Sequence, residues 1–327
     1  MSHSQDAAAG RTGAQTSSGA RSRKRASFLS RWESPFAGYL FISPWLIGFL
    51  VLTLYPMLLS LYYSFTNYTL MRDMKWVGLR NYSRIFTEDD KFVQSLKVTF
   101  EFVIASVPLR LIAALLVAMA LNKAVKGISA YRIAIYFPSL IGSSIAVSML
   151  WRNIFGVDGF FNRLLGMLGF EGTGWVSNPN TALWTLILLS VWQFGSAMVI
   201  FLAGLKQIPK DLYEASSVDG ANKLVQTFKI TLPLLSPTLY FNLVMGIIGA
   251  FQMFTSAYII TSGGPLNSTM VYAVYLYERA FSRYQMGYAS ALAWIMLIMI
   301  AVVAGIIALT SKYWVFYETE SGRGKRR

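Results

Sequence analysis

A polar segment between two long apolar runs, residues 204–237, holds the residues whose types and spacing most favour a function. It contains three short groups at fixed spacing: Glu214-Ala215-Ser216, Asp219-Gly220-Ala221 and Ile230-Thr231-Leu232-Pro233. Pro209 suits the first turn of a helix and Gly220 a left-handed helix stop, so the pattern predicts two short helices. A rigid pair of helices of this kind is suited to docking a partner and passing its motion on.

The second predicted helix of the polar segment begins near Ala221 and has an apolar face. Its apolar residues follow the i, i+3, i+4, i+7 spacing of a helix that binds in a groove: Ala221, Leu224, Val225 and Phe228. Asp211 and Glu214 lie early in the first helix, where negative charge complements the helix dipole. We expect Pro233 to prevent the second helix from continuing smoothly into the following apolar run.

Catalytic groups are scarce in this chain. The single histidine is His3, near the N-terminus, and there is no cysteine. The sequence has no G-x-x-x-x-G-K-[ST] phosphate loop, and the apolar runs contain almost no carboxylates. We therefore expect no catalytic residue, no metal site and no bound cofactor, and any ATP hydrolysis must occur on another chain.

Long apolar runs position the polar segment. Of the 327 residues 55% are hydrophobic, and the mean hydropathy is +0.47. Six runs approach the length that crosses a bilayer: roughly 38–62, 98–122, 132–152, 181–203, 234–260 and 288–310. Each must satisfy its own backbone hydrogen bonds in lipid, so all six are predicted to be helices. Prolines within them predict kinks: Pro44, Pro56, Pro108, Pro138 and Pro237.

The predicted architecture is an all-α integral membrane protein with one six-helix domain over residues 36–313. A disordered basic tail, 1–35, precedes it, and a second basic tail, 314–327, follows. The formal net charge is +14, and Lys and Arg are more numerous in the segments on the same side of the membrane as the two termini than in those on the opposite side. This bias predicts cytoplasmic termini and a cytoplasmic polar segment, although the opposite segment 63–97 is also basic. Solvated or lipid-facing tails explain the charge better than nucleic-acid binding.

The polar segment resembles the EAA loop of ATP-binding-cassette (ABC) importer permeases. That pattern is E-A-A, three residues, Gly, nine residues and I-x-L-P, and the three groups above match it with Ser216 in place of the second alanine. Other stretches resemble the first permease of maltose and multiple-sugar systems: Tyr55-Pro56, Ser64-Phe65-Thr66, Gly78-Leu79-Arg80-Asn81-Tyr82 and Thr261-Ser262-Gly263-Gly264-Pro265.

This resemblance implies a type I ABC importer permease in the bacterial or archaeal cytoplasmic membrane. The implied partners are a second permease, two ATPase subunits that hold ATP and Mg²⁺, and an extracytoplasmic solute-binding protein. The implied contact with the ATPase is a coupling helix that carries Glu214, Asp219 and Gly220.

Amide and aromatic residues within the apolar runs are candidates for the substrate path, because amides hydrogen-bond hydroxyls and rings stack on sugar faces. The candidates are Trp192, Gln193, Asn242, Phe251, Gln252 and Trp294. Packing between helices is the competing explanation for each of them.

Arg110 lies near the middle of the second run, where a charge facing lipid would cost at least about 3 kcal/mol. It is expected to face the protein interior or a cavity. A partner on another helix is the preferred explanation, and direct contact with the substrate is the alternative.

The sequence thus predicts a permease subunit of an ATP-driven, binding-protein-dependent importer of di- or oligosaccharides that works by alternating access. The same machinery with glycerol-3-phosphate or another polyol as cargo is the alternative. A membrane sensor or scaffold that transports nothing is a more remote one.

Overall fold

The computed structural model describes residues 35–69, 73–122 and 127–316. The chain forms two compact units, Met1–Leu59 and Ser60–Arg327. Most of the two predicted tails therefore lies outside the described residues. The first described helix begins at Pro35 and the last ends at Trp314, each within one residue of the predicted domain bounds.

The first unit is helical from Pro35 onward. Helix α1 (Pro35–Gly48) contains Pro44 and continues through a π turn (Phe49–Leu54) into α2 (Tyr55–Ser64). In the π turn the backbone N–H of Tyr55 donates to the carbonyl of Leu50, five residues earlier. The wider turn directly precedes Pro56, which has no N–H to donate, so Pro56 is accommodated without ending the helix.

The second unit is helical over most of its described length. Its helices are α3 (Arg80–Thr87), α4 (Asp90–Leu121), α5 (Ile128–Ile141), α6 (Ile145–Ile154), α7 (Phe160–Met167), α8 (Ala182–Trp192), α9 (Gly195–Gln207), α10 (Lys210–Val218), α11 (Lys223–Gln226), α12 (Leu232–Phe251), α13 (Thr255–Ile260), α14 (Tyr272–Tyr277) and α15 (Met286–Trp314). Two further π turns, Thr227–Thr231 and Glu278–Ser282, connect α11 to α12 and follow α14.

All six predicted apolar runs fall on helices, but two of them are bent. Four helical stretches are long and apolar enough to cross a membrane: Tyr39–Ser64, Asp90–Leu121, Lys223–Ile260 and Met286–Trp314. The other two runs are helix pairs, α5–α6 bent by 97° and α8–α9 bent by 41°. The described residues thus provide four candidate spans, or up to six if each bent pair is one span.

The breaks do not follow the prolines closely. Helices α4 and α12 continue through Pro108 and Pro237. The break between α5 and α6 follows Pro138 by one helical turn, and the break between α8 and α9 contains no proline. Proline alone is therefore a poor guide to where these helices change direction.

Helix α4 is the central element of the second unit. It packs against α8, α9, α12 and α14, and its buried residues belong to two apolar clusters. Phe102 lies in the cluster near its N-terminal half, and Leu111 lies in the cluster near its C-terminal half. Arg132 of α5 donates to the carbonyl of Leu121 at 2.7 Å and so caps the last turn of α4.

The bent pairs contact each other closely where they break. A Cβ on Gly142 would lie 2.3 Å from Cγ of Gln193, and a Cβ on Gly195 would lie 2.6 Å from Oγ of Ser139. The Ser139 hydroxyl donates to the carbonyl of Gln193 at 3.0 Å. Only glycine fits at these two positions, so the break in each helix pair is held in place by its contact with the other pair.

A buried polar cluster anchors the N-terminus of α4. Asp89 caps α4 by accepting from the backbone N–H of Phe92, and it also accepts from the hydroxyls of Tyr275 and Tyr288. The Arg279 guanidinium donates to Asp89 at 2.8 Å. Burial raises the pKa of Asp89, but the tyrosine hydrogen bonds and the Arg279 charge outweigh it and hold that pKa below its ordinary value.

Candidate functional site

A cavity of about 240 Å³ lies beside α4, between the bent helices and the end of α12. Its lining mixes apolar side chains with amides, hydroxyls and one guanidinium. The lining residues are Phe102, Val107, Arg110, Ser143, Leu186, Leu189, Ser190, Gln193, Gly246, Gly249, Ala250, Gln252, Met253, Phe254, Thr255 and Ser256. The volume approaches the lower end of the range for small-molecule sites, about 300–1,000 Å³.

Three interruptions of helices meet at this cavity. Ser143 belongs to the break between α5 and α6, and Gln193 to the break between α8 and α9. Gln252 belongs to the break between α12 and α13. Irregular backbone at membrane depth is tolerated where it lines a cavity, and interrupted helices commonly build substrate sites in transporters. This arrangement makes the cavity the candidate binding site.

The uncharged polar groups of the cavity suit a hydroxylated ligand. The amide of Gln193 donates to the carbonyl of Gly142 at 3.1 Å, which fixes the orientation of its side chain. Gln252 is exposed, and Ser190 and Ser256 are half-buried. Amides and hydroxyls both donate and accept hydrogen bonds, as sugar hydroxyls require.

Arg110 also lines the cavity. The partner on another helix that the sequence favoured is not found, since the described residues include no hydrogen bond or salt bridge to Arg110. Glu101, the nearest carboxylate along α4, pairs with Lys97 at 3.9 Å. Within the described residues, the guanidinium therefore borders the cavity without a paired carboxylate.

The other four candidates for the substrate path lie outside the cavity lining. Trp192 packs against Trp151 with ring centroids 5.9 Å apart, and Trp294 is half-buried on α15. Asn242 is buried and donates to the Thr238 carbonyl of its own helix at 3.1 Å. Phe251 is buried and makes an edge-to-face contact with Phe100. The structure thus brings Gln193, Gln252 and Arg110 together, and the substrate role of all seven residues stays a prediction.

The polar segment forms the two predicted short helices, with small differences at their ends. Gly220 adopts the left-handed conformation, φ +79°, between α10 and α11. Pro209 caps α10 from outside, and Asn222 caps α11, so Ala221 precedes the second helix instead of starting it. The Asn222 side chain accepts from the N–H of Val225, which favours a start one residue later than the apolar pattern indicated.

The predicted interruption at Pro233 is wrong. Helix α11 runs through the π turn Thr227–Thr231 into α12, and the N–H of Leu232 donates to the carbonyl of Thr227, five residues earlier. Because Pro233 has no N–H, the wider turn accommodates it near the start of α12 and the helix remains continuous.

Two residues that the sequence analysis did not single out hold the polar segment together. Gln226 is buried, and its amide nitrogen lies 3.0 Å from Oγ of Ser216, 2.9 Å from Oγ of Ser217 and 3.3 Å from the carbonyl of Tyr213. The Tyr213 hydroxyl shares a hydrogen bond of 2.9 Å with Thr231. These bonds fix α10 against α11, and Ser216 takes part where the family pattern has alanine.

The outer face of the polar segment is exposed and mixes large apolar side chains with charged ones. Val218 is 89% exposed and Phe228 66%, and Leu224 is also exposed. The carboxylates of Glu214 and Asp219 lie on exposed residues of the same segment. Ile230 packs against the buried cluster on its inner side, so the segment is anchored to the core while it presents this face.

Helix α12 connects the polar segment to the cavity. It begins at Leu232, directly after the π turn, and it ends at Phe251 beside Gln252. Its 20 residues span about 30 Å. Gly246 and Gly249 of α12 line the cavity, so a displacement of the polar segment has a direct rigid route to the cavity wall.

Comparison with known proteins identifies the family. Residues 89–314 match the family described as binding-protein-dependent transport system inner membrane component. The chain belongs to this family. The matched range begins at the cap of α4 and ends with α15, so it includes both the cavity and the polar segment.

Relatives and solved structures agree with the family assignment. The chain is 54% identical to the probable ABC transporter permease YesP of Bacillus subtilis (strain 168), over 93% of this chain and 99% of that protein. It is 34% identical to AmyD of Thermoanaerobacterium thermosulfurigenes, a probable permease for starch degradation products, over 84% and 94%. A solved ABC transporter involved in import of alginate has a similar fold: TM-score 0.76, 21% identity, 88% and 98% coverage.

The resemblance to ABC importer permeases is therefore confirmed. The protein is a multi-pass membrane component of a binding-protein-dependent transport system with the type I importer fold.

Proposed function

We propose that this chain is a permease subunit of an ATP-driven importer that moves di- or oligosaccharides through its cavity by alternating access. A second permease completes the membrane domain. Two ATPase subunits bind ATP and Mg²⁺ and dock on the polar segment, and an extracytoplasmic binding protein delivers the sugar. Both termini lie in the cytoplasm, and this chain binds no cofactor and catalyses no reaction itself.

The observation that carries the proposal is the direct connection made by α12. One end of this helix is the exposed helix pair that presents Val218, Leu224 and Phe228, and the other end borders the cavity. An exposed apolar face next to exposed carboxylates is the composition expected of a docking surface. A sensor or scaffold would need no polar cavity at the far end of such a helix.

A sugar cargo is supported by the chemistry of the cavity and by a relative. Gln193, Gln252 and the serines offer uncharged donors and acceptors, and the walls between them are apolar. The name of AmyD specifies starch degradation products, which are saccharides. Glycerol-3-phosphate or another polyol remains the alternative cargo, and the Arg110 charge in the cavity is the observation in its favour.

The docking proposal is tested with Glu214→Lys and Gly220→Pro. The first reverses a charge on the exposed face, and the second cannot adopt the φ of +79° that Gly220 has. Gly220→Asn is the matched control, because asparagine tolerates the left-handed conformation. In proteoliposomes that contain the full transporter, we expect the first two variants to lose ATPase association and uptake, and the control to keep most of both. Normal association and uptake in both test variants would refute the docking role.

A further inference from the structure

The charge in the cavity restricts what the cargo can be. Of the described residues that line the cavity, Arg110 is the one that carries a charge. It lies on α4, the helix that packs most widely in this unit, so its position is fixed by the core. Every other polar group in the lining is a neutral amide or hydroxyl.

Arg110 has no counterion within the described part of the chain. Glu101 is engaged with Lys97, and the Asp89 carboxylate is engaged by Arg279 and two tyrosines. An arginine at membrane depth is costly unless water or an opposite charge compensates it. A cavity that admitted only neutral ligands would leave that charge without compensation each time a ligand displaced the water around it.

We propose that the cargo is an acidic saccharide, and that Arg110 binds its carboxylate while the amides and hydroxyls bind its hydroxyl groups. This inference rests on the proposed function and names the substrate class of the same cavity. A guanidinium matches a carboxylate with two parallel hydrogen bonds. A phosphate dianion would require a second positive group, and the described lining provides none. A uronic acid residue has the required single negative charge.

The test compares an acidic saccharide with its neutral counterpart. The full transporter, with its partner permease, ATPases and binding protein, is reconstituted in proteoliposomes. ATP-dependent uptake is measured for cellobiouronate, a disaccharide with one uronic acid residue, and for cellobiose, the same disaccharide with that carboxyl group reduced, each at concentrations that saturate the binding protein. The variants are Arg110→Gln and Arg110→Lys. Lys97→Gln is the matched control, because Lys97 is an exposed cation on the same helix.

We expect the native transporter to take up cellobiouronate in preference to cellobiose. Arg110→Gln lowers cellobiouronate uptake about 10- to 100-fold, the range for loss of a hydrogen bond to a charged group, and lowers cellobiose uptake by a clearly smaller factor. Arg110→Lys gives an intermediate loss because it keeps the charge without the paired donors. Lys97→Gln changes neither.

Two results would overturn the inference while the importer function stands. The first is native uptake of cellobiose without uptake of cellobiouronate. The second is an equal effect of Arg110→Gln on uptake of both probes, whether both are lost or neither changes. An equal loss would assign Arg110 to a structural contact, such as an ion pair with the second permease. If neither probe is taken up in an ATP-dependent manner, the saccharide cargo is rejected, and this inference is rejected with it.

Discussion

The buried amide of Gln226 is expected to control how firmly the polar segment holds its shape. Gln226→Leu keeps most of the side-chain volume and removes the donor to Ser216, Ser217 and the Tyr213 carbonyl. The amide has two protons, so at most two full hydrogen bonds are lost, each with a net contribution of about 1 kcal/mol. The serine hydroxyls keep their own donations to Tyr213, at 3.0 and 2.7 Å, so they are not left without an acceptor.

The packing of α10 against α11 should therefore be less stable by about 2 kcal/mol. This is roughly a 30-fold change in the equilibrium between the packed and the unpacked arrangement. We expect weaker binding of the ATPase subunits by up to that factor and a matching loss of ATPase stimulation by the loaded binding protein. The assays are equilibrium binding of the ATPase to permease in nanodiscs and ATP hydrolysis by the reconstituted transporter.

Gln207→Leu is the control, because Gln207 is exposed at the end of α9 and the substitution is identical. If Gln226→Leu bound the ATPase as tightly as the native protein, or no more weakly than Gln207→Leu, the hydrogen bonds of Gln226 would not set the shape of the docking surface. The reasoning from these distances would then be wrong.

Two further predictions concern stability. Asp89→Asn leaves the buried Arg279 without its counterion and should lower the free energy of unfolding by about 3 kcal/mol. Since the pKa of Asp89 is lower in the folded protein than in the unfolded chain, its stabilisation is complete above the unfolded pKa of about 3.9 and is lost as the pH falls through the folded value. Thermal unfolding in detergent, followed from about pH 6 down to about pH 2, should show this acid loss in the native protein and a weaker one in Asp89→Asn. Gly195→Ala would place a Cβ 2.6 Å from Oγ of Ser139 and should cost about 1–3 kcal/mol and reduce uptake, whereas Gly305→Ala on α15, with no atom within 4 Å, should do neither. Equal melting temperatures for the two alanine variants would contradict the close contact.

The apolar runs predicted the positions of the helices well, because the length and composition of a run are local properties. The bends were predicted only in part: Pro138 precedes one of them by a helical turn, and the other contains no proline. Their positions depend on which helices meet. Gly142 and Gly195 are at the bends because a neighbouring element occupies the space of a side chain. Pro108, the more obvious local signal, lies within a helix that continues. Hydropathy and proline content cannot detect such contacts.

The candidate site was predicted unevenly for a similar reason. Residue spacing located Gly220 and its left-handed turn, because that conformation is a local requirement. The sequence pattern placed Asn242 and Gln252 equally on the substrate path, yet Asn242 bonds within its own helix and Gln252 lines the cavity. The importance of Gln226 was missed, because its acceptors lie 9 to 13 residues earlier and meet it only once the chain has turned.

The π turn at Thr227–Thr231 sets the angle about the helix axis between the exposed face of the polar segment and the part of α12 that lines the cavity. It accommodates one residue more than a regular α-helical path between α11 and α12 would contain. Each residue of an α-helix advances about 100° around the axis. Removing that one residue would swing the face of Val218 and Leu224 by more than a quarter turn relative to the cavity wall on α12. The number of residues in this turn therefore determines which way that face points relative to the cavity.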